Sequence, residues 1–503
     1  MVALIISCQS KIPRETNFTE STRVLYDSSR APFYHGVASG DPLTDRVIIW
    51  TRVTPTNSVQ AIPVKWEVSA SPVFDNIVQS NSIKALAEKD YTVKVDVTGL
   101  QAGKTYFYRF SAFGKTSVTG RTKTLPTNPD SVKLAVVSCA NWESGYFHAY
   151  DKIANRNDID AVVHLGDFIY EYGPGKQGET LGRRHLPAHE IISLLDYRTR
   201  YNQYRSDKGL LKMSQQHPLI AIWDDHEVAN DSYTQGAQNH QPQEGDYEKR
   251  KAAAKQAYYD SMPIREGSKH YRSFSFGNLA DLIMLDERLE GRTKPVDSIT
   301  DPGYQDEKRS MLGKEQLTWF EAKLKDSKAT WKVIGNQVMF ADRLYNTTNA
   351  KSSRSVDSWD GFPAEKKRVS QFIQDNQIKD LIFLTGDTHA SWAIEVAIDV
   401  DKTYNQQTSE GAFAVEFGTT SVSSNNSDER YPVEQVKAME MELLKINPHI
   451  KYVNQRDHGY LLVTFLPDHV ISEWYYVETV RQHQTNEYRG KKIEVSRGTV
   501  QLK

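Results

Sequence analysis

Six apolar runs in this 503-residue chain are each followed closely by side chains that can bind cations. Residues 134–137 lead into Ser138-Cys139-Ala140-Asn141, residues 161–163 into Gly166-Asp167-Phe168-Ile169-Tyr170, and residues 219–222 into Trp223-Asp224-Asp225-His226-Glu227. Residues 282–285 precede Asp286-Glu287-Arg288, residues 331–334 precede Gly335-Asn336-Gln337, and residues 381–384 precede Gly386-Asp387-Thr388-His389. Each group alone has an ordinary explanation. Gly-Asp after a strand makes a turn with an Asx hydrogen bond, and a lone cysteine is a small core hydrophobe. Acids near a first helical turn favour its dipole, and a tyrosine buries its ring while donating its hydroxyl. Converging on one edge, these carboxylates, histidines, thiol, phenol and amides would be very costly without a cation to neutralise them. A thiolate and phenolate with a histidine suit a strongly Lewis-acidic transition metal, while carboxylate and amide oxygens suit a hard cation such as calcium, magnesium or manganese. The expected arrangement is a dinuclear centre, in which two cations about 3.5–4 Å apart share a carboxylate and a hydroxide and clamp the oxygens of an in-line phosphoryl transfer. Hydrolysis of a phosphate ester is the reaction such a centre performs.

Residues so far apart in sequence meet only if strands deliver them to one place. In open α/β sheets, ligands collect just beyond the carboxyl ends of the strands. The six runs are apolar throughout, which fits strands buried on both faces, and stretches such as 146–155 and 314–326 are long enough for covering helices. Further strands are expected near 412–417 and 461–465. The class is therefore α/β, in layers. Between residues 47 and 125 the pattern differs: the runs at 47–51, 64–68, 91–95 and 106–110 are alternating, β-branched or aromatic, and Gly, Pro and Asn clusters separate them. That predicts a small antiparallel β-sandwich. Residues 99–106 resemble the tyrosine-corner region of fibronectin type III domains; packing on the next domain is the simpler role for this unit and binding the alternative. The division expected is an arm or signal-like segment over 1–29, a fibronectin III/Ig-like β domain over 30–127 and the catalytic domain over 128–503.

Lysine plus arginine total 62 against 64 acids, a net charge of −2, so there is no basic surface excess for nucleic acid as a structural partner. No apolar run approaches the length that crosses a bilayer. The two cysteines, Cys8 and Cys139, exclude a disulfide framework. Cys8 follows Leu4-Ile5-Ile6-Ser7, which resembles the end of a bacterial lipoprotein signal, but the preceding segment has no lysine or arginine. Membrane attachment through a lipidated Cys8 and a plain apolar terminus both stay open.

The motifs together resemble the alkaline phosphatase D (PhoD-like) family of the metallophosphoesterase superfamily. The resemblance rests on Tyr34-His35-Gly36-Val37-Ala38-Ser39-Gly40-Asp41-Pro42 with Trp50-Thr51-Arg52, on Ser138-Cys139-Ala140, and on residues 164–172 around Gly166-Asp167. It rests also on Trp223-Asp224-Asp225-His226-Glu227, Asn336-Gln337 and Thr385-Gly386-Asp387-Thr388-His389. It implies a layered α/β/β/α metallophosphoesterase sandwich behind the β domain. It implies Fe3+ held by Cys139, Tyr170 and His389, with Asp167 bridging to a Ca2+ site that includes Asp225 and Asp387; Mn2+, Zn2+ and Mg2+ are the alternatives. Asn230 and Asn336 are further candidate ligands. His226 is the candidate to protonate the leaving oxygen, and Arg288 the candidate phosphate clamp, its simpler reading being a salt bridge to Asp286 or another acid. Residues 173–204, with Arg183-Arg184-His185, are read as a loop over the site or an ordinary solvated connection. The expected partner is a small-molecule or polymer phosphate ester, acted on by a monomer that is secreted or lies in the cell envelope. A phospholipase D-like or cell-wall polymer phosphodiesterase is the alternative enzyme, and a surface binding protein with a structural metal site the non-enzyme alternative.

Overall fold

The computed structural model describes residues 20–57, 59–267 and 269–503. Cys8 lies outside them. No described helix is long and apolar enough to cross a membrane.

The first strands are β1 (Val37–Gly40), β2 (Val47–Arg52), β3 (Ala61–Ser69), β4 (Ile77–Leu86), β5 (Thr92–Val97), β6 (Thr105–Ala112), β7 (Lys115–Thr116) and β8 (Gly120–Lys123). In β6 buried and half-buried residues alternate strictly, as in a sheet with one face on a core. One sheet runs β4-β3-β6-β7, with β8 also paired to β6, and β1, β2 and β5 pack against it around Trp66, Tyr108 and Phe110. The tyrosine corner is present: the Gln101 N–H donates to Tyr106 Oη at 2.9 Å.

The following strands are β9 (Val132–Val137), β10 (Ala161–His164), β11 (Pro218–Ala221), β12 (Arg272–Phe276), β13 (Ala280–Met284), β14 (Trp331–Asn336) and β15 (Leu381–Thr385). Then come β16 (Ser391–Ala397), β17 (Ala412–Gly418), β18 (Ile450–Asn454), β19 (Gly459–Phe465), β20 (His469–Val477) and β21 (Glu487–Ser496). A nine-stranded sheet has the order β21-β20-β19-β9-β10-β11-β1-β2-β5, and a seven-stranded sheet the order β12-β13-β14-β15-β17-β16-β18. The central pairings β9·β10·β11 and β13·β14·β15·β17 are parallel, which sends their carboxyl ends to one edge.

The two sheets pack face to face through Leu134, Val136, Val163 and Ile222 on one side and Leu282, Val333, Leu384 and Phe417 on the other. The outer face of the nine-stranded sheet carries the helices His148–Ala154, Leu194–Tyr204, Lys208–Gln216 and Tyr247–Ser261. The other outer face carries Gly313–Asp326, Pro363–Asp375 and Val433–Ile446. Gly313–Asp326 forms because Leu317, Phe320 and Leu324 recur at helical spacing and bury one stripe. The result is the layered α/β/β/α sandwich. One relationship was not visible in the alternation of residues 47–125: β1 pairs in parallel with β11, so three N-terminal strands continue the nine-stranded sheet.

Residues 173–204 are partly solvated, with Lys176, Glu179 and Arg184 exposed, and partly folded against the centre, where Gln177 donates to Asn425 at 2.9 Å. They contain the helices Lys176–Leu181 and Leu194–Tyr204. Arg183 is buried over the Trp142 ring and paired with Asp207, and His185 is buried as well.

Candidate metal centre

Cys139 follows β9, Asp167 follows β10, Asp224, Asp225 and His226 follow β11, and Asp387 and His389 follow β15. Four of these residues hold left-handed backbone: Cys139 at φ 61°, Asp167 at 56°, Asp387 at 60° and His389 at 52°. Residues other than glycine seldom adopt that conformation, and its clustering marks sites where surrounding structure imposes strain. Here the constraint is visible: the Cys139 N–H donates to Gly166 O at 3.2 Å and the Ala140 N–H to Asp167 O at 3.0 Å, tying the first two turns together. Gly166, at φ 107°, lets the second turn lie against the third, since a Cβ there would sit 2.3 Å from Asp224 Cβ.

The ligand atoms form a chain of overlapping groups, each with its atoms within 4.8 Å of one another: Cys139, Asp167 and His389; then Asp167, Asp225 and His226; then Asp224, Asp225 and Asp387. Tyr170 joins the first group. Its hydroxyl donates to Asp167 Oδ2 at 3.0 Å, accepts from Ser424 Oγ at 2.7 Å and lies 3.3 Å from His389 Nε2. His389 Nδ1 donates to the Asn425 carbonyl at 2.9 Å, which fixes the tautomer and leaves Nε2 free to face Tyr170 and the cluster.

Among the described residues, Asp167 Oδ1 and Asp224 Oδ2 are sealed in the protein with no hydrogen-bond partner. Buried carboxylate oxygens are seldom left so, and a cation bound between these turns would satisfy both. Sulfur, imidazole and phenol at one pole and clustered carboxylates at the other fit a strongly Lewis-acidic transition metal and a hard cation respectively. Burial pushes Cys139, Asp167, Tyr170 and Asp224 well above their ordinary pKa values. Burial also lifts Asp387 to about 6, against the pull of Arg288, and lowers His389 to about 4. Asp225 differs, because Arg288 and His226 outweigh its burial and bring it to about 2.

Arg288 is fully buried and spent on acids. Its Nε meets Asp224, its Nη1 lies 2.8 Å from Asp357 Oδ2, and its Nη2 lies 3.1 Å from Asp387 and 3.5 Å from Asp225. The expectation of a phosphate clamp does not match that position, because every face of the guanidinium already meets a carboxylate; the salt-bridge alternative fits, with Asp224 and Asp357 in place of Asp286. His226 Nδ1 lies 2.6 Å from Glu171 Oε2, and its ring lies 4.2 Å from that of Tyr170. Asn230 is beside the centre, but its side chain accepts from Tyr172 and donates to Gln238. Asn336 is not brought to the cluster: its amide donates to the Val338 carbonyl and to Thr385, and its oxygen accepts from Trp359.

Sequence reasoning passed over Asp224, Glu171, Ser424 and Asp357 as site residues. Asp224 and Glu171 stand inside the quoted motifs, whereas Ser424 and Asp357 come from irregular segments with no signal of their own.

The family model described as PhoD-like phosphatase matches residues 134–474, and that described as its N-terminal domain matches residues 19–126. The chain belongs to the PhoD-like phosphatase family. With it the chain belongs to the phosphoric ester hydrolases. Alkaline phosphatase D of Bacillus subtilis (strain 168) is 39% identical over 467 residues, covering 87% of this chain and 76% of that one. A solved structure titled "Structure of PhoD" aligns with a TM-score of 0.84 at 35% identity, over 95% of this chain and 92% of that chain. The PhoD-like fold accounts for the layered sandwich and the N-terminal β strands together.

Proposed function

We propose that this PhoD-like phosphatase hydrolyses phosphate monoesters, diesters or both at a centre with two chemically distinct poles. Fe3+ is assigned to Cys139, Tyr170 and His389, and Ca2+ to Asp224, Asp225 and Asp387, with Asp167 shared; Mn2+, Zn2+ and Mg2+ are the alternative ions. The observation that carries this reading is the run of overlapping ligand groups with two sealed, unpartnered carboxylate oxygens. Bound there, the cations supply the Lewis acidity that makes water nucleophilic and offsets charge on the phosphoryl group.

The chain's own residues do the rest. Asp167 stands between the poles, near Cys139 and His389 on one side and Asp225 on the other, and would hold a cation at either. Arg288 balances the carboxylates, so that the acid pole stays compact between turnovers. His226 is held by Glu171 with Nδ1 engaged, which leaves Nε2 to carry a proton to the leaving oxygen. Glu171 keeps that orientation because its other oxygen accepts from the Asn230 N–H and from Asn239, both at 2.8 Å.

An iron–thiolate pole and a calcium pole suit an oxidising, calcium-rich compartment, so a secreted or cell-envelope location belongs to this proposal, with lipidation of Cys8 as the means of attachment and a monomer as the working unit. The test is nitrophenol release from nitrophenyl phosphate and bis(nitrophenyl) phosphate by metal-loaded protein, in parallel with Asp167→Asn. Turnover lost in the variant supports the reading, and the faster ester identifies the preference. Silence on both esters with metal bound overturns it.

A further inference from the structure

With Arg288 committed to carboxylates, a guanidinium contact to an anionic substrate has to come from another arginine. Arg343 meets that need. It lies in the segment after β14, at the same edge of the seven-stranded sheet as Asp387 and His389. The segment is rigidly held: the N–H of Val338 donates to Glu287 at 3.0 Å, those of Phe340 and Ala341 to Glu416 at 2.9 and 2.6 Å, and that of Arg343 to Asp360 at 3.0 Å. The guanidinium lies 4.3 Å from the Tyr345 ring centre and 5.0 Å from that of Trp392. Trp392 Nε1 in turn donates at 2.8 Å to Thr388 Oγ1, the residue between Asp387 and His389. One aromatic bracket therefore joins Arg343 to the ligand turn.

Arg343 is 7% exposed, yet among the described residues no carboxylate reaches its guanidinium within ion-pair distance. Its Nη2 donates to the Tyr345 hydroxyl, while Nε and Nη1 make no hydrogen bond and neither is sealed from solvent. A buried guanidinium with no carboxylate beside it is costly, and its planar donors match the oxygens of a phosphate. Among the surrounding acids Asp387 exerts the strongest attraction on it, and the contact of Trp392 with both the guanidinium and Thr388 puts Arg343 beside the turn that carries Asp387.

We propose that Arg343 is the substrate-binding arginine of this enzyme, taking non-bridging oxygens of the phosphoryl group with its Nε and Nη1 while the ligand turns hold the reacting side. The inference rests on the phosphate-ester reading above. A guanidinium held beside two rings and tied to the Tyr345 hydroxyl presents its remaining donors from a planar fork, which suits phosphate oxygens better than a mobile lysine would.

The test is calorimetric titration of inorganic phosphate into metal-loaded wild type, Arg343→Met and Arg343→Lys, with metal content and melting temperature recorded for each. Expected is phosphate affinity about tenfold or more weaker in Arg343→Met and intermediate in Arg343→Lys, at unchanged metal content. With nitrophenyl phosphate, KM rises in parallel and kcat falls less. Unchanged affinity in Arg343→Met overturns the inference; if that variant does not fold, unchanged affinity in Arg343→Lys does so. Loss of metal in either variant also overturns it, by making Arg343 a structural support, as does a wild type that binds no phosphate. A wild type that binds phosphate through Arg343 but cleaves neither ester sinks the proposed reaction and leaves this inference standing.

Discussion

His226 Nδ1 lies 2.6 Å from Glu171 Oε2, so a histidine after β11 is aimed by a carboxylate that follows β10. Glu171 is fully buried and has no other charged partner in the ion-pair contacts of the described residues. Glu171→Gln should keep the side-chain volume and one hydrogen bond while losing the charge that supports a protonated imidazole. We expect kcat to fall by about a hundredfold, with metal content unchanged in elemental analysis. A wild-type kcat in this variant would show that the pair is only structural.

The two poles meet at Asp167, whose Oδ1 has no protein partner. Asp167→Asn should abolish turnover and weaken both ions, read as metal lost on gel filtration. Tyr170→Phe should fold normally and lose any visible absorption arising from phenolate bound to iron. Colour retained in Tyr170→Phe would remove the phenolate from the iron pole.

Gly166 is the hinge that brings the β10 turn against the β11 turn. A methyl group there would stand 2.3 Å from Asp224 Cβ on a backbone at φ 107°. Gly166→Ala should destabilise the protein by about 1–3 kcal/mol in denaturant unfolding, and lower metal affinity with it. Unchanged stability would mean that the two turns can separate freely.

Acid sensitivity has a source away from the metal ligands. Asp342 pairs with Lys366 and lies 3.5 Å from Arg354. Burial opposes its ionisation, but Lys366 and Arg354 prevail and hold it well below the ordinary carboxylate range. Its folded pKa is thus below its unfolded value, so the stabilisation is complete above the unfolded value and disappears as pH falls toward the folded one. The melting temperature should drop below about pH 4, and Asp342→Asn should flatten that limb while lowering stability at neutral pH. An identical acid limb in the variant would assign the effect elsewhere.

How much of this was legible in the sequence differs residue by residue. Cys139, Asp167, Asp225, Asp387 and His389 were readable because each directly follows an apolar strand, and parallel strands deliver such positions to one edge. Asn336 broke the rule because it is the last residue of β14 itself, and its side chain is taken by Thr385 and Trp359. Arg288 was placed correctly at a strand end, but its role depended on Asp357, which arrives from an irregular segment that no periodicity announces. Glu171 shows the same limit in milder form: the motif contains it, and only the fold shows that its carboxylate meets His226. Strand alternation revealed β2, β3, β5 and β6, yet pairing partners are set by three-dimensional neighbours, so the junction of β1 with β11 left no mark.

That junction bears on how the chain can be assembled and cut. β1 waits for a strand far downstream in the sequence, so the amino-terminal portion cannot complete its hydrogen-bond ladder while the ribosome is still adding the helices before β11. A protease nick near residue 127 would leave two pieces still laced edge to edge. Deleting the first strands outright would bare the parallel flank of β11, a ready template for intermolecular pairing, and an excised catalytic half would be expected to precipitate before it could be assayed.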